Sequence, residues 1–221
     1  MDNIPILLLR LEGALQSWGE RAKWNQRDSA FIPTKSGVIG LIACALGLSR
    51  EDDRIISLSR NLCFAVRADR AGHILDDFHT VRGIIGTAEG KWRGLKGEET
   101  TIVTNRQYLQ DASFLVALNG EQVTLEACAA ALRDPHWQVF LGRKSCVPSR
   151  PIFEKLTFDY SSVEEAFARY PVAQRCSSFS LVYQSEGGDM LRRDELDSAI
   201  DRRFELRRVT QRTVEVEHVS V

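Results

Sequence analysis

Residues 31–48, FIPTKSGVIGLIACALGL, join a helix start suited to an anion with an apolar helix suited to a core. Pro33 fixes the chain's entry, Thr34 or Ser36 can act as N-cap, and an almost unbroken apolar run follows over 38–48. A helix start carries unpaired N–H groups and partial positive charge, so it can hold a phosphate. Lys35 would add a full charge, and Gly37 would let a ligand approach the backbone. A capped core helix with no ligand has the same signature.

A second anion site is suggested by Arg143 and Lys144, which follow Gly142, although such a doublet is also a common solvated pair. The loop over 12–32 contains Gln16, Trp18, Arg21, Lys23, Trp24 and Arg27. Indoles and cations on an exposed loop suit stacking and phosphate contacts with single-stranded nucleic acid. Packing of Trp18 and Trp24 against a sheet is the competing reading.

Other chemistry is largely missing. There is no P-loop, H-E-x-x-H, G-x-S-x-G or dinucleotide fingerprint, and the four histidines are too dispersed to suggest a metal site. The five cysteines are scattered without a C-x-x-C, which argues against zinc or a disulfide framework. A net charge of −1 over 221 residues argues against binding nucleic acid by bulk charge, but not against basic patches. No signal peptide or membrane-length run is visible, so a cytoplasmic protein is expected. No cofactor is expected.

The elements that would position these residues come in a recognisable order. A strand over 4–11, the helix of 31–48, a polar-faced helix over 51–62 and a strand over 63–68 open the chain. Residues 72–108 are glycine-rich with β-branched flanks and basic near Arg82, Lys91, Arg93 and Lys96, as in a projecting hairpin with a mobile tip. A strand over 112–118, a helix over 124–132 and a short strand over 137–141 follow. Beyond the loop at 148–151, a helix over 162–170, a strand over 178–184 and one or two half-exposed strands over 204–219 are expected. The mixed charges of 192–208 read as a solvated or partner-facing surface. This order predicts an α+β, ferredoxin-like domain, with both helices on one sheet face and the other free for a ligand. A single domain over 1–221 is expected, with a ferredoxin-like core over 1–75 and 109–150, a projecting basic thumb hairpin over 76–108, and a β-rich C-terminal extension over 151–221.

Several motifs carry a family resemblance. PTKSGVIGL at 33–41, preceded by LRLEGALQSWG at 9–19, resembles the N-terminal signature of the CasD family. DFHTV at 77–81, RGLK at 93–96, YLQDASF at 108–114 and FLGRKSC at 140–146 follow in order and span about the first two thirds of the chain. That family supplies the Cascade subunit holding the 5′ handle of CRISPR RNA in type I-E systems. The resemblance implies a non-catalytic, RNA-binding subunit that assembles with CasC-type backbone subunits and a CasA-type large subunit, and meets target DNA indirectly.

It also implies a site. Gln16, Trp18 and Arg27 would contact bases and backbone, and Lys35, Ser36 and Gly37 would hold a phosphate at the helix start. Arg143 and Lys144 would supply a second anion contact, and Arg82, Arg93, Lys96 and Arg106 the contacts of the thumb. The alternative is a metal-independent endoribonuclease acting on CRISPR repeat RNA, with His79, Lys96 and Tyr108 as acid, base and phosphorane-stabilising groups.

Overall fold

The computed structural model describes residues 3–20, 26–82, 101–172, 178–198 and 203–215. It is a mixed α+β protein, rich in sheet. In chain order the elements are β1 (Ile6–Glu12), β2 (Leu15–Gln16), β3 (Gln26–Arg27), α1 (Lys35–Ala45), α2 (Arg54–Asn61), β4 (Cys63–Arg70), β5 (His73–Arg82) and β6 (Thr101–Gln110). They continue with β7 (Ser113–Asn119), α3 (Gln122–Arg133), β8 (Phe153–Thr157), α4 (Val163–Arg169), β9 (Ser178–Gln184), β10 (Met190–Ser198) and β11 (Arg203–Glu215).

Seven strands form one antiparallel sheet in the order β10-β11-β9-β4-β7-β1-β8. Strand β1, ILLLRLE, lies between two neighbours and is buried on both faces, as its continuous apolar run requires. Leu7, Leu9 and Leu11 join the larger core with Val38, Ile39 and Ile42 of α1 and Leu125 and Cys128 of α3. Ile6 and Leu8 point the other way, into a smaller core with Leu115, Ala117, Ala166 and Phe167.

That second core corrects the expectation of a free sheet face. Helix α4 lies on it, with a local cap: the Ser162 hydroxyl accepts the Glu165 N–H at 3.1 Å, and the Glu165 carboxylate accepts the Ser161 N–H at 2.8 Å. At its other end, Arg67 donates to the carbonyls of Phe167, Tyr170 and Pro171 at 2.5, 2.7 and 3.0 Å. Arg67 is fully buried, and Asp69 balances it from two residues along β4, with Arg10 as a second partner at 2.5 Å. A helix carries partial negative charge at its C-terminus, so the guanidinium also complements α4 electrically.

Most of the longer strands fall where the apolar patterns place them, but two of these do not announce themselves. Strand β8 hides behind Pro148 and Pro151, and β10 hides in a run of charge. Conversely, 137–140 form no strand, and the expected alternation over 204–219 is the single long strand β11 within the described residues. Strand β8 pairs with β1, and β9 pairs with β4, so the C-terminal strands extend the same sheet.

The second sheet is built on β6. Strand β5 pairs with it over ten residues, from His73↔Gln110 to Arg82↔Thr101, while β2 and β3 share its other edge. Leu109, with Ile74 packed beside it, anchors the base of this hairpin in the main core, whereas Phe78 on the stem is 70% exposed. At about 3.3 Å per residue the stem runs for roughly 30 Å. The expected contacts Arg93 and Lys96 lie outside the described residues.

Candidate nucleic-acid interface

Helix α1 begins as its sequence predicts: Thr34 is extended, and its hydroxyl accepts the Gly37 N–H at 3.2 Å. What meets the rest of the helix start is an internal acid. The Lys35 amide donates to Asp194 at 2.8 Å, and Arg207 grips the same carboxylate through two nitrogens at 2.7 and 3.0 Å. Thr34 is 2% exposed and Lys35 0%, with the lysine ammonium 2.7 Å from Glu195 and 3.3 Å from Gln184. Arg192 adds a further cation here and pairs with Glu20; burial pushes its guanidinium below the usual range, opposed by the Asp194 charge. Lys35, expected to face a phosphate, is therefore turned into the protein, while Ser36 and Gly37 beside it are half-buried. A carboxylate from β10 supplies the negative charge this dipole favours.

Gln16 and Trp18 also turn inward, at 0% and 1% exposure, which corrects their expected contacts with bases. The Gln16 amide donates to the carbonyls of Leu11 and Ala112 at 3.2 and 2.9 Å and accepts the Trp18 indole N–H at 3.0 Å. Trp18 lies so close to Gly37 that an added Cβ there would stand 2.9 Å from the ring. Packing of Trp18 against the body is the reading that holds; Trp24 lies outside the described residues.

Of the expected site cations, Arg27, Arg106 and Arg143 come together near the root of the hairpin. Arg27 of β3 is in register with Arg106 of β6, which places them side by side, about 5 Å apart at the backbone. Arg27 is exposed, and Arg106 is half-buried with its Nε donating to Thr104 at 3.2 Å. Asp77 stands opposite Arg106 on β5, but its carboxylate lies 3.6 Å from His79. Arg143 reaches the same face. Its guanidinium lies 4.7 Å from the centre of the Tyr108 ring and donates to the carbonyls of Gln107, Arg27 and Asp28 at 2.8, 3.0 and 3.4 Å. Lys144 beside it is exposed, as is Arg82 at the far end of the stem.

Two further features hold this surface in shape. Gly142 has φ +96°, a region open chiefly to glycine, and packs so tightly on Ser17 that a Cβ would overlap its carbonyl oxygen. The turn closes with Leu141 donating to Cys146 and Cys146 to Arg143, both at 2.8 Å.

His79 and Tyr108 do not meet. His79 pairs with Thr104, four residues from Tyr108, about 13 Å along the strand. Tyr108 is 6% exposed, with its hydroxyl 3.4 Å from Ser145 and its ring under Arg143. Among the described residues, no group of three or more His, Cys, Asp or Glu could hold a metal ion. The residues missed in the sequence are Asp194 and Arg207, whose only local signal was mixed charge on a period-two strand.

The curated Escherichia coli protein "CRISPR system Cascade subunit CasD" is 40% identical over 162 residues, covering 66% of this chain and 69% of that one. A solved structure described as "Crystal structure of Cas protein" matches with a TM-score of 0.74 and 33% identity, over 96% of this chain and 95% of that one. A chain of a "CRISPR RNA-guided surveillance complex" matches with a TM-score of 0.76 and 33% identity, over 96% and 90%. The model of the CRISPR-associated protein (Cas_Cas5) family matches residues 6–217. With its CasD-like motifs, its matching fold and this near-complete span, the chain belongs to the CRISPR-associated Cas5 family.

Proposed function

We propose that this chain is a crRNA-binding subunit of a Cascade surveillance complex, and that it holds the 5′ handle of the guide at the root of its hairpin. The observation that carries the reading is the row formed by Arg27 and Arg106 in register, flanked by Arg143 and Lys144. Three arginines converge, with the exposed Lys144 next in the chain to one of them, on a protein with no net basic charge, so the positive potential is local. Contacts to phosphate from such a row give salt-sensitive affinity, while base preference would come from splayed bases meeting side-chain and backbone edges. Arg82, with Arg93 and Lys96, would continue these contacts along the thumb.

The strand order β8-β1-β7-β4, with α1 and α3 packed on the same core, supports reading that half as ferredoxin-like. The site's place at the hairpin root fits a subunit that docks on CasC-type backbone subunits and a CasA-type large subunit and meets target DNA through the complex. Such a ribonucleoprotein would work in the cytoplasm. We infer binding without cleavage, because the separation of His79 from Tyr108 and the burial of the tyrosine do not suit concerted acid–base work.

Ultraviolet crosslinking of the assembled complex tests this reading. Crosslinks from the guide's 5′ end should fall in peptides containing Arg27, Arg106 or Lys144, and a complex with no guide RNA on this chain would refute it. Incubation of the chain with repeat RNA in EDTA should leave the RNA intact; a single specific cut would favour the endoribonuclease.

A further inference from the structure

We propose that Arg143 is the positioning residue of this interface: it locks the Arg27 strand beside Arg106, and Arg27 and Lys144 make the contacts with phosphate. The inference rests on the RNA-binding reading above and assigns the division of labour within it.

Three observations converge on Arg143. Its two terminal nitrogens are committed to backbone carbonyls on two separate segments, Gln107 on β6 and Arg27 and Asp28 at the end of β3. Strand β3 is only two residues long, pairing with β6 through Gln26↔Asn105 and Arg27↔Arg106. So short a strand has little ladder of its own, and a guanidinium bridging it to β6 replaces hydrogen bonds that the ladder lacks. Its planar fork can reach carbonyls in different directions at once, which an ammonium on a flexible stem does poorly.

The base of Arg143 is equally fixed. Gly142 abuts Ser17, Ser17 donates to Leu141 at 2.9 Å, and the Arg143 carbonyl accepts the Cys146 N–H. The guanidinium also lies over the Tyr108 ring, 4.7 Å from its centre, a cation–π contact that helps to hold it. Among the described residues no carboxylate lies within ion-pair distance of Arg143, so its charge is balanced by carbonyl dipoles and still adds to the local positive potential. A side chain held this way is poorly placed to swing onto a phosphate. Its neighbours Arg27 and Lys144 are exposed and have no ion pair among the described residues.

A double-mutant cycle distinguishes positioning from contact. The full-length chain and its variants are titrated with a labelled synthetic RNA bearing the 5′ handle of the cognate guide, across a series of salt concentrations. Arg27→Ala should weaken binding and reduce the salt slope by about 0.7, the value for one phosphate contact on a single strand. Arg143→Ala should do the same, and the double variant should lose no more than either single one. Lys144→Ala should add fully to Arg143→Ala.

Arg143→Lys is the decisive variant, because it keeps the charge and the fold while losing the fork. It should bind as poorly as Arg143→Ala, with a melting temperature close to that of the unmodified chain. Near-native affinity in Arg143→Lys, or additive losses in the Arg27/Arg143 pair, would overturn the positioning role while leaving RNA binding intact. Failure of the unmodified chain to bind the RNA would overturn the underlying reading and this inference with it.

Discussion

Asp194 accepts the amide of Lys35 at 2.8 Å while the Arg207 guanidinium holds the same carboxylate in a two-pronged pair. One acid on β10 thus satisfies the start of α1 and neutralises a cation on β11. Asp194 is 1% exposed and Arg207 4%, so neither charge has water as a fallback. Removing one partner of such a pair leaves a buried charge uncompensated, at a cost of about 3–5 kcal/mol. Asp194→Ala should lose stability on that scale in urea unfolding. A loss below about 1 kcal/mol, the median worth of an exposed pair, would mean that the clasp contributes little.

Lys35 separates a structural role from an RNA-binding one. Its ammonium faces Glu195 and Gln184 inside the protein. Lys35→Glu would set two carboxylates together and should yield unfolded or aggregated chain. Lys35→Met keeps the apolar stem and should fold, at a cost of about 1.5–3 kcal/mol for the lost charged hydrogen bond to Glu195. Its affinity for handle RNA should equal that of the unmodified chain. Weaker binding by folded Lys35→Met would restore the phosphate site at the start of α1.

The cap of α4 makes a prediction about acid. Ser161 donates to Glu165 through its backbone N–H and its hydroxyl, and with Arg169 they hold the carboxyl at about 2, below its ordinary 4.5. A carboxyl depressed by folding contributes stability above its unfolded value and loses it as pH falls towards its folded value. The contribution should therefore be full above about pH 4.5 and fade between about 4.5 and 2. Glu165→Gln should be less stable at neutral pH and show a shallower loss of stability across that window. Parallel acid titrations of the two proteins would rule the cap out as a contributor.

What the sequence disclosed divides by range. The Thr34 cap and the helices expected over 124–132 and 162–170, which are α3 and α4, depend on residues close together in the chain, and all were readable. Strand β1 was readable because burial on both faces leaves a continuous apolar run. Strand β10 was not, because its buried positions include Asp194, whose partners lie on α1 and β11. A charge that is buried only because a distant charge meets it looks solvated in one dimension. The helix start misled for the same reason: its anion-binding character was real, but the chain itself supplies the anion. Arg27, Arg106 and Arg143 were each visible as cations, whereas their convergence depends on the register of β3 with β6.

That convergence depends in turn on a residue with no side chain. Gly142 sits at φ +96°, where an L side chain is strained by about 1–3 kcal/mol, and its missing Cβ makes room for the Ser17 carbonyl. Gly142→Ala must therefore push the turn away from Ser17 as well as strain it. The displacement starts one residue before Arg143, whose contacts with Gln107, Arg27 and Asp28 span two segments and cannot all follow a shift of the turn. Two effects should appear together in the variant: a loss of at least about 1–3 kcal/mol in urea unfolding, and a fall in handle affinity no smaller than that of Arg143→Ala. Stability lost with affinity intact would show that the turn supports the fold alone and that the arginine row holds its shape without it.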